Sequence, residues 1–172
     1  MYKRQIDTLA YSLQLKYRVG AQGFSLAYQR VHGEQPFDYM AFGDGRSSAS
    51  MVLANSVGYS DFNGPGERSW QLRYDLDLGA LGLPGLSLHA LHARGRAGAS
   101  ASSAAESIYA GLYGRDGRHR ESDLGFAYRV KAGPLAGLAL RASQAWHRGN
   151  ASYLDGDIDE TRLVVDYSRS IW

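Results

Sequence analysis

Four arginines, Arg73, Arg129, Arg141 and Arg162, lie in stretches where polar or charged residues alternate with apolar ones. A guanidinium stays charged at any relevant pH, and its planar fork of donors holds an anion. Each arginine alone also fits a solvated wall residue paired with a neighbour such as Asp75 or Asp123, Arg73 in particular. Other chemistry has little support. The chain has Cys 0, so it contains no disulfide or thiolate metal site. His89 and His92 fall on opposite faces of a strand and cannot jointly chelate a metal. The Gly-rich GDGRSSAS, residues 43–50, lacks the strand, Lys and helix of a phosphate-binding loop. Ser, His and Asp are plentiful, but no nucleophile elbow or fixed base is legible, so neither enzymatic activity nor a cofactor is expected.

The elements that must position these arginines are strands. Leu72, Tyr74, Leu76 and Leu78 alternate with Arg73, Asp75 and Asp77. Strand side chains point to opposite faces with period two, which defines a two-faced strand without saying which solvent each face meets. The pattern recurs in Leu9, Tyr11, Leu13, Leu15, Tyr17 and Val19. After the turn Gly20-Ala21-Gln22-Gly23 it resumes in Phe24, Leu26 and Tyr28, which makes a hairpin. Leu124, Phe126, Tyr128 and Val130 oppose Asp123, Gly125, Ala127 and Arg129; the turn KAGPLAG and a strand from Leu138 to about His147 follow. A last strand begins near Asp159, with Leu163, Val165 and Tyr167 on one side and Arg162, Val164 and Asp166 on the other. One shift lays Leu72–Leu78 on Leu124–Val130 and GLSLHA (85–90) on GLALRA (137–142). Internal duplication and the common grammar of hairpins account for it equally well.

Lys+Arg 19 against Asp+Glu 17 leaves a net charge of +2, too balanced to signal nucleic acid, while Gly 21 and Tyr 12 are high for 172 residues. No apolar run approaches the ~18 residues of a membrane helix. The opening MYKRQIDTLAYSL lacks the apolar stretch of a signal peptide, so an envelope protein starting here would carry no export signal. Connections after Val19, Gly79 and Val130 are short, whereas His32 to Glu67, Gly95 to His119 and Arg148 to Asp157 are long and polar. Short turns at one rim and long loops at the other are the signature of an outer-membrane barrel. Tyr11, Tyr17, Trp70, Trp146, Tyr167 and Trp172 sit near strand ends, where rings suit the two membrane interfaces, although aromatics are also good strand formers. The row Arg73, Asp75 and Asp77 is too charged for a protein core and suits a water-filled lumen. The apolar row beginning at Leu72 is therefore expected to face lipid.

With that architecture, LANSVGYSDFNGPGERSWQLRYDLDL (53–78), the turns GLPGLS and GPLAGL, and DIDETRLVVDY (157–167) resemble the C-terminal part of the OprD family of outer-membrane porins. The resemblance runs through nearly the whole chain. It implies an all-β fold, an antiparallel transmembrane β-barrel segment of about seven spanning strands in a larger barrel of about eighteen, a size class with an aqueous channel. Residues 1–172 would form the C-terminal part of one barrel domain, with a long inward-folding loop at 32–66 and extracellular loops at 95–118 and 148–157. The implied function is passive, substrate-selective diffusion of small carboxylate-bearing solutes, such as basic amino acids, across the outer membrane. Arg73, Arg129, Arg141 and Arg162 would form the family's arginine ladder. Tyr59 and Asp61 would stand at the constriction, with Tyr39, Asp38 and Asp44 as weaker candidates, although Asp61 also reads as the cap of the turn FNGPGE.

The implied partners are outer-membrane lipid, lipopolysaccharide, small solutes and the missing N-terminal barrel strands. RDGRHR (115–120) reads as a solvated extracellular face or a lipopolysaccharide contact. Counting back from a last strand that ends at the periplasm gives an odd, open set, which would leave sheet edges in lipid. Two departures stand out: Trp172 is out of phase with Leu163, Val165 and Tyr167, which calls for a bulge or a residue outside the apolar band, and Gln144 interrupts its apolar row. Two further readings are a complete eight-stranded membrane barrel with Met51–Tyr59 as the eighth strand, acting as anchor or adhesin, and a soluble ligand-binding barrel.

Overall fold

Alternating sequence over ten or more positions builds long two-faced strands, and the computed structural model, which describes residues 8–37, 53–98 and 109–168, contains seven of them. They are β1 (Leu9–Val19), β2 (Gln22–His32), β3 (Arg68–Asp77), β4 (Leu86–Arg96), β5 (Arg118–Arg129), β6 (Leu138–Gly149) and β7 (Ile158–Tyr167). All pair antiparallel with their sequence neighbours in one sheet of order β1 to β7. Each holds 10 to 12 residues, the length a tilted strand needs to cross a bilayer core of ~30 Å.

The register gathers the apolar phase of every strand onto one face. Tyr17, Phe24 and Tyr74 are direct cross-strand neighbours, as are Leu15, Leu26 and Leu72, and Tyr128, Leu140 and Val165. This face is covered by nothing among the described residues: Leu13 is 74% and Leu163 72% exposed. A water-facing sheet would not carry so large a continuous apolar patch. Gln144, the interruption expected on this face, lies opposite Thr161, whose hydroxyl donates to its side-chain oxygen, while Gln144 Nε2 donates to the Ala145 carbonyl at 3.0 Å. Its polar atoms are thus satisfied without water.

Several boundaries differ from the sequence expectation. The first turn is only Gly20–Ala21, because Val19 already pairs with Gln22. β4 runs to Arg96, β5 starts at Arg118 and β6 reaches Gly149. There the outward residues become arginines and the inward ones small or polar. The apolar signature stops while the backbone ladder continues, since pairing needs no apolar side chain. A short 3-10 helix, Leu78–Leu81, follows β3, with the Asp77 carboxylate accepting from Gly79 N at 2.9 Å.

The paired turns share one backbone requirement. Gly85 (φ 87) and Gly137 (φ 95) occupy matching positions, and a Cβ on either would overlap a carbonyl oxygen at the end of the neighbouring strand, that of Arg129 in β5 or of Ser168 just past β7. Glycine there lets the short turn lie against the ladder.

β1 and β7 are the two edges of the sheet and do not pair with each other. Residues 53–59 are not a strand, so the described part of Met51–Tyr59 does not close an eight-stranded barrel. Asp38, Tyr39, Asp44, the GDGRSSAS loop and Trp172 lie outside the described residues. Apart from the apolar face, the core is small and sits under a loop on the opposite face, where Phe62, Leu91 and Ala93 pack with Val57.

Candidate pore wall and constriction loop

The face opposite the apolar rows carries the second phase of each strand. Towards the short-turn end it is an open trough. One concavity of about 1310 Å³ is lined by Arg73, Arg129 and Arg141 with Lys16, Arg18 and His89; another, of about 530 Å³, is lined by Arg73, Arg141 and Arg162. All four arginines singled out from sequence therefore share one wall. They do not form a bare cationic row. Arg73 grips Asp75 through Nε at 2.9 and 3.0 Å and through Nη2 at 2.6 Å. Arg141 Nη2 donates to Asp166 Oδ2 at 2.7 Å, and Arg162 pairs with Glu160. Arg129 is exposed and has no acidic partner among the described residues. The Arg141 and Asp166 side chains are 61% and 55% exposed, so water screens their pair and each charge stays available to a solute.

Towards the long-loop end the same face is filled by residues 53–67, which fold back over the sheet. Glu121 on β5 accepts from Tyr59 N at 2.6 Å and Ser60 N at 2.9 Å, and Asp123 accepts from Gly58 N at 2.9 Å. Three successive loop amides are thus held by two wall carboxylates, in bonds strengthened by the acceptor charge. Gln29 on β2 adds a second clamp. Its Nε2 donates to the carbonyls of Asp61 (3.0 Å) and Phe62 (2.9 Å), while its Oε1 accepts from Asn55 N at 2.8 Å.

The end of the loop plugs into a buried histidine cluster. Glu67 Oε1 lies 2.5 Å from His119 Nε2, His119 Nδ1 lies 3.0 Å from His147 Nε2, and His147 Nδ1 lies 2.9 Å from the Gly156 carbonyl oxygen. Rings sandwich the cluster: Phe62 and Tyr153 stack on His119 with centroids 4.1 and 3.6 Å away. Gly95 leaves the space, because a Cβ there would collide with Glu67, His119 and Phe62. Burial, with Glu67 nearby, pushes the Tyr153 hydroxyl well above its ordinary pKa and keeps it neutral, and its OH donates to Glu67 Oε2 at 3.3 Å. Partial burial and the neighbouring Asp155 raise Tyr59 as well.

Tyr59 and Asp61 do not line the concavities that hold the arginines. The Tyr59 ring packs against His147 at 5.3 Å, and the Asp61 carboxylate accepts from the Ser56 hydroxyl. From the same loop it is Ala54 and Ser56–Gly58 that reach the trough. Sequence reading missed Glu67, Glu121, Asp123, His119, His147 and Gln29 as loop anchors. A signal was present for three of them, since His119, Glu121 and Asp123 share the inward phase of β5. RDGRHR also divides differently from expectation: Arg118–Arg120 belongs to β5, with His119 buried in the cluster and the two arginines on the outward face.

The sheet order, the turn-and-loop asymmetry and a loop folded onto the polar wall match one family throughout. The sequence model described as outer membrane porin, OprD family, covers residues 2–171. The chain belongs to the OprD family of outer-membrane porins. It is 48% identical over 171 residues to Porin D of Pseudomonas aeruginosa, a match covering 96% of this chain and 39% of that protein. Against the porin-like protein GalP of Pseudomonas putida it is 30% identical over 154 residues, which is 90% of this chain and 32% of the relative. A crystal structure of P. aeruginosa OprD superimposes with a TM-score of 0.84 at 46% identity, over 98% of this chain and 44% of that one. The chain thus spans less than half the length of these OprD-family relatives. In a membrane barrel of this family the uncovered apolar face is the side that meets lipid.

Proposed function

We propose that this chain forms part of the wall and the inward loop of a diffusion channel of about eighteen strands, a size that encloses water. The channel passes small carboxylate-bearing solutes, basic amino acids among them, across the outer membrane without catalysis. The observation that carries this reading is the shared wall of Arg73, Arg129, Arg141 and Arg162, each accessible and three of them set beside a carboxylate. A solute carboxylate exchanges between guanidinium groups, while a cationic side chain meets Asp75, Glu160 or Asp166. Weak, repeated sites suit conduction, because a solute must leave as readily as it enters. Residues 53–67, with Tyr59 and Asp61, narrow the lumen above this wall. Further strands close the barrel, since the free edges of β1 and β7 cannot face lipid. Outside, the barrel meets outer-membrane lipid and, on the extracellular side, lipopolysaccharide.

The test is the reversal potential of the assembled barrel under a salt gradient. Replacing both Arg141 and Arg162 by Gln keeps polarity and removes two fixed charges, so permeability should shift from anions towards cations. The shift should shrink with salt as the Debye length falls from ~10 Å at 0.1 M to ~3 Å at 1 M. No shift at low salt would mean that these arginines do not line the conducting path.

A further inference from the structure

Every outward-facing arginine of the described strands lies at the long-loop end, the extracellular end of the proposed channel. Arg30, Arg68, Arg96 and Arg118 are direct cross-strand neighbours along β2 to β5. One step nearer the membrane centre, Arg94, Arg120 and Arg148 form a second row along β4 to β6, continued on β3 and β2 by Trp70 and Tyr28. The outward positions at the periplasmic end carry no charge in any described strand; they read Tyr17, Phe24, Leu76, Tyr128 and Val165.

Like charges directly opposite one another on adjacent strands repel. Acidic neighbours answer only part of this. Asp116 pairs with Arg96 and Arg118, and Asp159 accepts from Arg148 Nη1 at 2.5 Å. Arg30, Arg68, Arg94 and Arg120 have no acidic partner among the described residues. Strands lie ~4.8 Å apart, so the outer row spreads over roughly 15 Å, wide enough to hold more than one phosphate.

We propose that the two rows bind a phosphate-bearing glycolipid of the outer leaflet through a headgroup with at least two phosphates. Guanidinium forks grip phosphate oxygens in pairs, which supplies the missing acceptors and relieves the cross-strand repulsion. The occupant is a lipid because the arginine rows share their face with Leu72, level with the His92–Ser122 pair, and with Ala90 and Leu124 beyond that pair, at the depth of acyl chains. This rests on the membrane-barrel reading and is independent of solute selectivity.

The assembled barrel, in nanodiscs of zwitterionic lipid, is offered a diphosphorylated lipid A-type glycolipid, its dephosphorylated counterpart, or dissolved inorganic phosphate as competitor. Bound glycolipid is counted by native mass spectrometry. The diphosphorylated form should be retained and the dephosphorylated form not. The double variant Arg94→Gln, Arg120→Gln should bind roughly tenfold more weakly, whereas Arg115→Gln, in the exposed loop, should not differ from the parent. Equal retention of the two glycolipids by the unaltered protein overturns the proposal, whatever the variant does. So does equal binding by the double variant, or displacement by millimolar inorganic phosphate. The reversal potential of the same preparation in zwitterionic lipid reports the channel reading separately, so a selective channel indifferent to the glycolipid sinks only this inference.

Discussion

Glu121→Gln tests the loop anchor most directly. Glu121 is fully buried and accepts from two consecutive amides, Tyr59 N and Ser60 N, one through each carboxylate oxygen. Gln retains one acceptor and turns an NH2 group towards the other amide. The retained bond falls from the charge-assisted range of ~1.5–3 kcal/mol to the neutral range of ~0.5–1.5, a loss of about 1 kcal/mol. The other amide is left facing a donor, at a cost of ~1–3 kcal/mol. Together these give about 3 kcal/mol against the closed loop, or roughly 100-fold in the opening equilibrium at ~1.4 kcal/mol per factor of ten. Hydrogen exchange by mass spectrometry on the assembled barrel reads this equilibrium. Peptides covering 53–67 should exchange roughly 100-fold faster, while those from β6 and β7 keep the parental rate. Asp123→Asn, which touches one loop amide, should have a smaller effect. Unchanged exchange in 53–67, or an equal rise throughout the sheet, would refute the view that these carboxylates clamp the loop.

Cysteines at Leu76, Tyr128 and Val165 should resist a water-soluble thiol reagent in the assembled barrel, while cysteines at Asp75, Arg129 and Asp166 should react; the opposite pattern would reverse the assigned faces. Asp166→Asn removes the partner of Arg141 and should move the reversal potential towards anion selectivity, opposite to the double arginine variant. Tyr153 is held neutral, with its hydroxyl above the ordinary 10.0, so the folded state keeps a proton that the unfolded state releases. Its contribution is therefore complete below pH 10 and lost as pH rises through the folded value. Proteolysis of 53–67 should accelerate above pH 10 in the parent and less steeply in Tyr153→Phe, and identical profiles would exclude Tyr153 as the titrating group.

The strands, their two faces and the alternation of short turns with long loops were legible from sequence because strand geometry imposes period two whatever the solvent. For the same reason Arg73, Arg129, Arg141 and Arg162 could be assigned to one wall before any coordinates. Local pattern does not encode which chain segment fills that wall or which charges answer one another. Arg73 and Asp75 are two residues apart on one strand, so their pair could be anticipated; Arg141 and Asp166 are 25 residues apart and meet only through the β6–β7 register. The loop anchors needed still more, because Glu121 reaches amides 61 and 62 residues away and Glu67 reaches His119 across 52. The outward arginine rows also depend on register: one or two arginines on each of β2 to β6 become neighbours only when the ladder sets them level. Alternation along the chain thus determined which way each side chain points, whereas its partners depended on long-range pairing that only the assembled sheet decides.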